Sequence, residues 1–150
     1  MKRTAELMAA WQAAGVAHGV MNTDNMSVFG ETIDFGPCAF MDSFNRRQVY
    51  SSIDNDGRYA FNRQAPIAAW NLARLAECLL PLFDADADVA LSRAEEMLES
   101  FRPAYGGALA EGLERKLGLK PAIPPMRPSS PACGGCWTPR TPISLCSSAA

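Results

Sequence analysis

The sequence predicts a mainly α-helical protein with one short β-hairpin set into it. Three observations carry that prediction. Apolar residues recur every three or four positions in four separate stretches. Glycines stand where two of those stretches stop, at Gly15 and Gly118. Residues 16–36 break the pattern, with glycines at 19, 30 and 36 around brief apolar runs.

The first helix is expected to start on Thr4 as its N-cap. It carries Leu7, Met8 and Trp11 on one face and stops at Gly15. Met26–Phe29 and Thr32–Ile33 are expected to be the two strands. Residues 42–63 are polar and hold the turn sequence Asn55-Asp56-Gly57, so they read as loop. Pro66 suits the first turn of a second helix reaching Leu80, with Ile67, Trp70, Leu75 and Leu79 buried and Pro81 beyond its end. A third helix spans about Asp86 to Phe101. A fourth carries Tyr105, Leu109, Leu113 and Leu117 at four-residue spacing and closes on Gly118.

Composition sets the outer bounds. At 150 residues the chain has room for one domain with a core and not for two. Hydrophobic residues at 48% and charged residues at 20% exclude a wholly disordered or collagen-like chain. No apolar run approaches the ~20 residues of a membrane-spanning helix, and the start Met1-Lys2-Arg3-Thr4 has no secretory apolar core. Net charge of −2 gives no electrostatic footprint for nucleic acid. A cytoplasmic protein, with no membrane and no nucleic-acid partner, is the expectation.

The chain divides near Lys120. Residues 1–120 hold 12 basic and all 16 acidic residues, a net −4, whereas residues 121–150 hold Arg127, Arg140 and no acid. Seven of the 11 prolines lie in that second piece, a density that defeats helix and sheet alike. Residues 121–150 are therefore expected to be a disordered Pro/Ser/Cys-rich tail.

The chemistry lies in residues 18–36. His18-Gly19 is followed by Asn25, seven positions after the histidine, and by Asp34-Phe35-Gly36 nine positions later. In protein kinases and aminoglycoside phosphotransferases, a histidine opens the catalytic loop. An Asn seven residues on and the Asp of an Asp-Phe-Gly triplet then bind Mg²⁺. Mg²⁺ is a hard cation that takes oxygen ligands; Asn25 offers a neutral one and Asp34 a charged one. Gly36 is expected to let the chain turn away after Asp34. Where kinases carry the catalytic Asp, two residues after the histidine, this chain has Val20; its acid is Asp24, directly before Asn25. The physical reading leaves Asp24 as base or metal ligand. His18 reads as a structural residue that hydrogen-bonds the loop.

The run Ala17-His18-Gly19-Val20-Met21-Asn22-Thr23-Asp24-Asn25-Met26-Ser27, with Thr32-Ile33-Asp34-Phe35-Gly36-Pro37, resembles the SelO (YdiU, UPF0061) family. The resemblance continues through Gly57-Arg58-Tyr59-Ala60-Phe61, Gln64-Ala65-Pro66 and Trp70–Ala76 to Lys116–Leu119, and touches none of 121–150. It implies a protein-kinase-like fold that transfers AMP from ATP to protein Ser, Thr or Tyr hydroxyls. It makes Asp24 the proton acceptor, Asn25 and Asp34 the holders of Mg²⁺ (or Mn²⁺), and Asp34 a contact for the bound nucleotide. It also implies that residues 1–120 are the start of a C-lobe, with the N-lobe absent and supplied, for activity, by a separately encoded chain. The alternative is a truncated or frame-shifted remnant with no catalytic activity.

Other signals have plainer readings. Arg58 and Tyr59 read as loop anchors. Asp84, Asp86, Asp88 and Glu95 mimic a calcium loop, but Val89 stands where that loop needs Gly, so the acids read as a helix N-terminus. Cys133, Cys136 and Cys146 lack a fourth zinc ligand and sit among prolines, so they read as incidental thiols. Cys38 and Cys78 are expected to be buried core thiols.

Overall fold

A computed structural model describes residues 1–119; the boundary at Lys120, the tail 121–150 and its three cysteines lie outside the described residues. The elements are α1 (Lys2–Ala14), β1 (Val16–Ala17), β2 (Ala39–Phe40), α2 (Gln64–Phe83), α3 (Ala87–Glu99) and α4 (Phe101–Leu117). Short 3₁₀ turns lie at Thr23–Asn25 and Phe61–Arg63. α1 packs along α4 and α2 along α3, while α1 and α2 touch more lightly. Among the described residues, no helix is long and apolar enough to cross a membrane.

The mainly helical class with a small antiparallel hairpin is present. The helix-ending glycines behave as expected: Gly15 and Gly118 both take left-handed φ, at 76° and 67°, and their N–H groups close the last turns. Asp86 caps α3, its Oδ1 accepting from the N–H groups of Asp88 and Val89 at 2.9 and 3.3 Å. The acids there serve a helix end, and Asp84 pairs with Arg93 at 3.1 Å.

Other expectations are corrected. α1 starts on Lys2, with the Ala5 N–H bonding Met1 O at 3.0 Å, so Thr4 is a buried residue of the first turn instead of the cap. The strands are not Met26–Phe29 and Thr32–Ile33 but the two ends of the segment, with Val16 opposite Phe40 and Ala17 opposite Ala39. Residues 27–30 instead form a turn, closed by the Gly30 N–H on Ser27 O at 3.1 Å, and Val28 and Phe29 are exposed. A β-prone side chain without a facing strand gains nothing from extended backbone.

α2 runs through Pro81 to Phe83. Proline's fixed φ is helical, so only the bond to Glu77 O is forfeited, and the late carbonyl of Phe83 accepts from Arg93 Nη1 at 2.8 Å. The expected buried face of α2 is rotated. Gln64, Ala65, Ala68, Asn71 and Ala76 are buried, whereas Trp70 and Leu75 are exposed. Two polar side chains hold the inner face because loop backbone beneath needs their hydrogen bonds. α3 and α4 break at Ser100 because Pro103 has no N–H for Glu99 O.

The core comprises Ala5, Met8 and Trp11 of α1, Val16 of β1, Met21 of the loop that follows it, Ala65 and Ala68 of α2, and Phe101 of α4. α4 closes on α1 tightly: a Cβ on Gly112 would lie 3.6 Å from Ala13 Cβ, and Lys116 Nζ donates to Ala13 O at 2.6 Å. The cysteine expectation fails, since Cys38 is half-buried and Cys78 exposed.

Candidate functional site

Residues 18–38 leave β1 and return to β2 as an irregular loop whose shape comes from side chains outside it. His18 is fully buried and stacks on Trp11, with ring centroids 5.2 Å apart and planes 21° from parallel. Its Nε2 lies 2.7 Å from Ile33 O. A carbonyl can only accept, so Nε2 carries the proton, and buried Nδ1 is left without a partner. Trp11 Nε1 donates to Thr32 Oγ1 at 3.0 Å. Thr32 and Ile33 are thereby moored to α1 immediately before Asp34. His18 thus acts as the loop-bonding residue its position suggests.

The other arm is held from α2. Gln64, also fully buried, accepts from the His18 N–H at 2.9 Å and donates to Val16 O at 2.8 Å. Asn71 Nδ2 donates to Met21 O at 3.0 Å, and the Tyr59 hydroxyl donates to Asn22 Oδ1. The chain then turns through Thr23–Asn25, with the Asn25 N–H on Asn22 O at 3.0 Å. Gln64 and Asn71 lie seven residues apart, two helical turns, on one face of α2. Sequence reasoning passed over both; polar residues repeating on an otherwise apolar stripe were the available signal.

Asp24 is exposed on that 3₁₀ turn and Asn25 is half-buried beside it. Asn25 Nδ2 donates to Val20 O at 3.2 Å, which leaves the amide oxygen uncommitted. Asp34 is exposed on the second arm and has φ of 53°, the one non-glycine residue with positive φ among those described. The left-handed residue is thus Asp34 and not Gly36. Asp tolerates this region better than most residues, at a strain of about 1 kcal/mol, and such strain concentrates at functional sites.

Asp24 and Asn25 share one turn, whereas Asp34 comes from the opposite arm. No three Asp, Glu, His or Cys side chains gather into a metal-holding cluster among the described residues. The available donors are two carboxylates and one amide oxygen, a hard-oxygen set suited to Mg²⁺ that fills only part of an octahedral shell. Phosphate oxygens and water complete such shells, so the residues fit a metal that arrives with a nucleotide. An apolar cavity of about 350 Å³ borders the Asp34 arm, between Trp11, Phe35 and Phe40. Burial pushes the thiol of Cys38, on its wall, above the usual range.

The family described as protein adenylyltransferase SelO matches residues 1–129, past the point where the resemblance read from the residues ends. A protein nucleotidyltransferase YdiU from Mycobacterium sp. (strain KMS) is 56% identical over 126 residues, covering 81% of this chain and 26% of the relative. Its namesake from Bradyrhizobium sp. (strain ORS 278) is 59% identical over 119 residues, covering 79% of this chain and 24% of the relative. That from Bradyrhizobium sp. (strain BTAi1) is 60% identical over 117 residues, with 78% and 24% covered. The chain thus spans about a quarter of the length of the curated relatives it matches. With its Asn25 and Asp34 arms held as described, the chain belongs to the SelO family of protein adenylyltransferases.

Proposed function

We propose that residues 1–119 form the acid- and metal-bearing part of a protein adenylyltransferase site, folded as the beginning of a protein-kinase-like C-lobe. The observation that carries this reading is the double mooring of one loop. His18 and Trp11 fix the backbone before Asp34, while Gln64, Asn71 and Tyr59 fix the backbone before Asp24 and Asn25. The side-chain oxygens of Asp24, Asn25 and Asp34 take no hydrogen bond from the described residues and are free to take a ligand.

The substrates in this reading are ATP and a protein Ser, Thr or Tyr hydroxyl. Asn25 and Asp34 hold Mg²⁺ or Mn²⁺, and Asp34 thereby contacts the nucleotide. When bound, the metal neutralises charge that develops on the phosphates. Asp24 takes the proton as the acceptor oxygen forms its bond to the α-phosphorus. The bond from that phosphorus to the β-bridging oxygen breaks, and pyrophosphate leaves. Val28, Phe29 and Phe35 on this loop, and Phe40 and Phe44 just after it, are exposed. They offer an apolar rim against which the rest of a relative-length protein, or a separately encoded N-lobe, would pack.

A second reading is a non-catalytic piece. Incubating the purified chain with α-labelled ATP and Mg²⁺ separates the two. Protein-bound label that disappears in Asp34→Ala supports the adenylyltransferase reading. No label together with no nucleotide binding overturns it.

A further inference from the structure

Trp70 is an exposed residue of α2, yet its ring is not bare. The Arg58 guanidinium carbon stands 4.9 Å from the Trp70 centroid and 5.7 Å from that of Tyr59. The guanidinium carbon of Arg74 stands 5.3 Å from the Trp70 centroid. Arg74 is committed to Glu77, Nη2 to Oε1 at 2.7 Å, in a geometry that pairs the charges while leaving buried Nε without a partner. Arg58 is different. Among the described residues its guanidinium has no carboxylate or carbonyl partner. The nearby carboxylate of Asp54 is occupied by the backbone N–H groups of Arg58 and Tyr59, at 2.7 and 2.8 Å.

An exposed guanidinium held by two aromatic rings has few rotamers left to lose, and its N–H edge keeps its full capacity for a planar anion. The position of this platform selects its ligand. Tyr59 bonds Asn22, and Asn71, beside Trp70 in sequence, bonds Met21 O. Both contacts fall on the arm that carries Asp24, the acid assigned to the acceptor hydroxyl. Nucleotide phosphates belong with the metal oxygens of Asn25 and Asp34. An anion at Arg58 is thus placed to come from the molecule that brings the hydroxyl.

We infer that Arg58, stacked on Tyr59 and Trp70, is a specificity anchor for an acidic side chain flanking the target hydroxyl of the protein acceptor. This rests on the adenylyltransferase reading for the acceptor's identity. A bidentate guanidinium–carboxylate contact at this exposed but pre-ordered guanidinium is expected to give about tenfold in affinity, eroding with salt.

The test titrates the full 150-residue chain into a fluorescent serine peptide flanked by glutamates, and into its glutamine counterpart. The acidic peptide should bind about tenfold more tightly. Arg58→Ala should abolish that preference, Arg58→Glu should shift it to a lysine-flanked peptide, and Arg102→Ala, an exposed arginine on α4, should leave it intact. Equal binding of the two peptides overturns the inference, as does a preference that survives Arg58→Ala. So does an Arg58→Ala variant that loses affinity for metal-free ATP while keeping its peptide preference. Asp34→Asn should not alter the peptide preference. A chain that keeps the preference but neither binds Mg-ATP nor transfers AMP therefore sinks the adenylyltransferase reading alone.

Discussion

Replacing Gln64 by leucine removes the joint between α2 and the site loop and shortens the side chain by one atom. Gln64 is fully buried and spends both ends of its amide on backbone: Nε2 on Val16 O at 2.8 Å and Oε1 on the His18 N–H at 2.9 Å. Leucine leaves that carbonyl and that N–H buried with no partner. Each such group costs about 1–3 kcal/mol, while the amide's own desolvation is recovered, so the expected loss is about 2–4 kcal/mol. Set against the ~5–15 kcal/mol that typically holds a domain together, this is a large fraction. Urea unfolding followed by far-UV circular dichroism measures it, with an unchanged denaturant slope showing that the same surface unfolds. Hydrogen exchange gives a local reading, because the His18 amide should lose its protection. A loss under about 0.5 kcal/mol, with the His18 amide still protected, would refute the claim that Gln64 holds this loop.

Three further outcomes follow from the same geometry. Gly30 has φ of 73°, and a Cβ there would come within 2.6 Å of Arg3 Cβ and 2.9 Å of its backbone, so Gly30→Ala should destabilise by at least about 2 kcal/mol in the same unfolding assay. Asp34→Asn keeps a residue that tolerates left-handed backbone, so its melting temperature should stay within about 2 °C while Mg²⁺-dependent nucleotide binding weakens at least about tenfold by calorimetry. Cys78 is exposed, whereas burial raises the pKa of Cys38 and so lowers its thiolate fraction at any pH below that raised value. Iodoacetamide at mildly alkaline pH should modify Cys78 before Cys38 by peptide mass mapping, with Cys38 catching up only as pH passes the ordinary thiol range.

The helices were legible because their signals are local. Gly15 and Gly118 end helices where left-handed backbone is needed, and Asp86 caps α3 through bonds to its own near neighbours. The segment proposed as the site stands out in the sequence as a spacing, His18 to Asn25 to Asp34, which is likewise local. What failed depends on partners distant in sequence. Val28 and Phe29 have strand-like side chains, yet the strands form at Val16–Ala17 and Ala39–Phe40, where the chain returns past itself. Trp70 looked like core by size, but the inner face of α2 belongs to Gln64 and Asn71, whose value appears only once the loop beneath them is known.

That dependence bears on how the site works. A loop whose regular structure is limited to the 3₁₀ turn at Thr23–Asn25 makes few hydrogen bonds of its own, so the neighbouring helices help to hold its two arms in register. Trp11 acts on the Asp34 arm from α1, through Thr32 and by stacking on His18, and Gln64 and Asn71 act on the Asp24–Asn25 arm from the inner face of α2. His18 joins the two systems, since its backbone N–H bonds Gln64 while its ring bonds Ile33 O. A shift of α1 against α2 would therefore strain these contacts and disturb the placing of Asn25 and Asp34, the residues that would hold a metal. Metal binding and helix packing should accordingly be coupled: Mg-ATP should raise the unfolding midpoint of the wild-type chain and raise that of Asp34→Asn far less. Equal shifts in both would mean that the nucleotide binds elsewhere, and the two-armed geometry of residues 18–36 would then have no part in holding it.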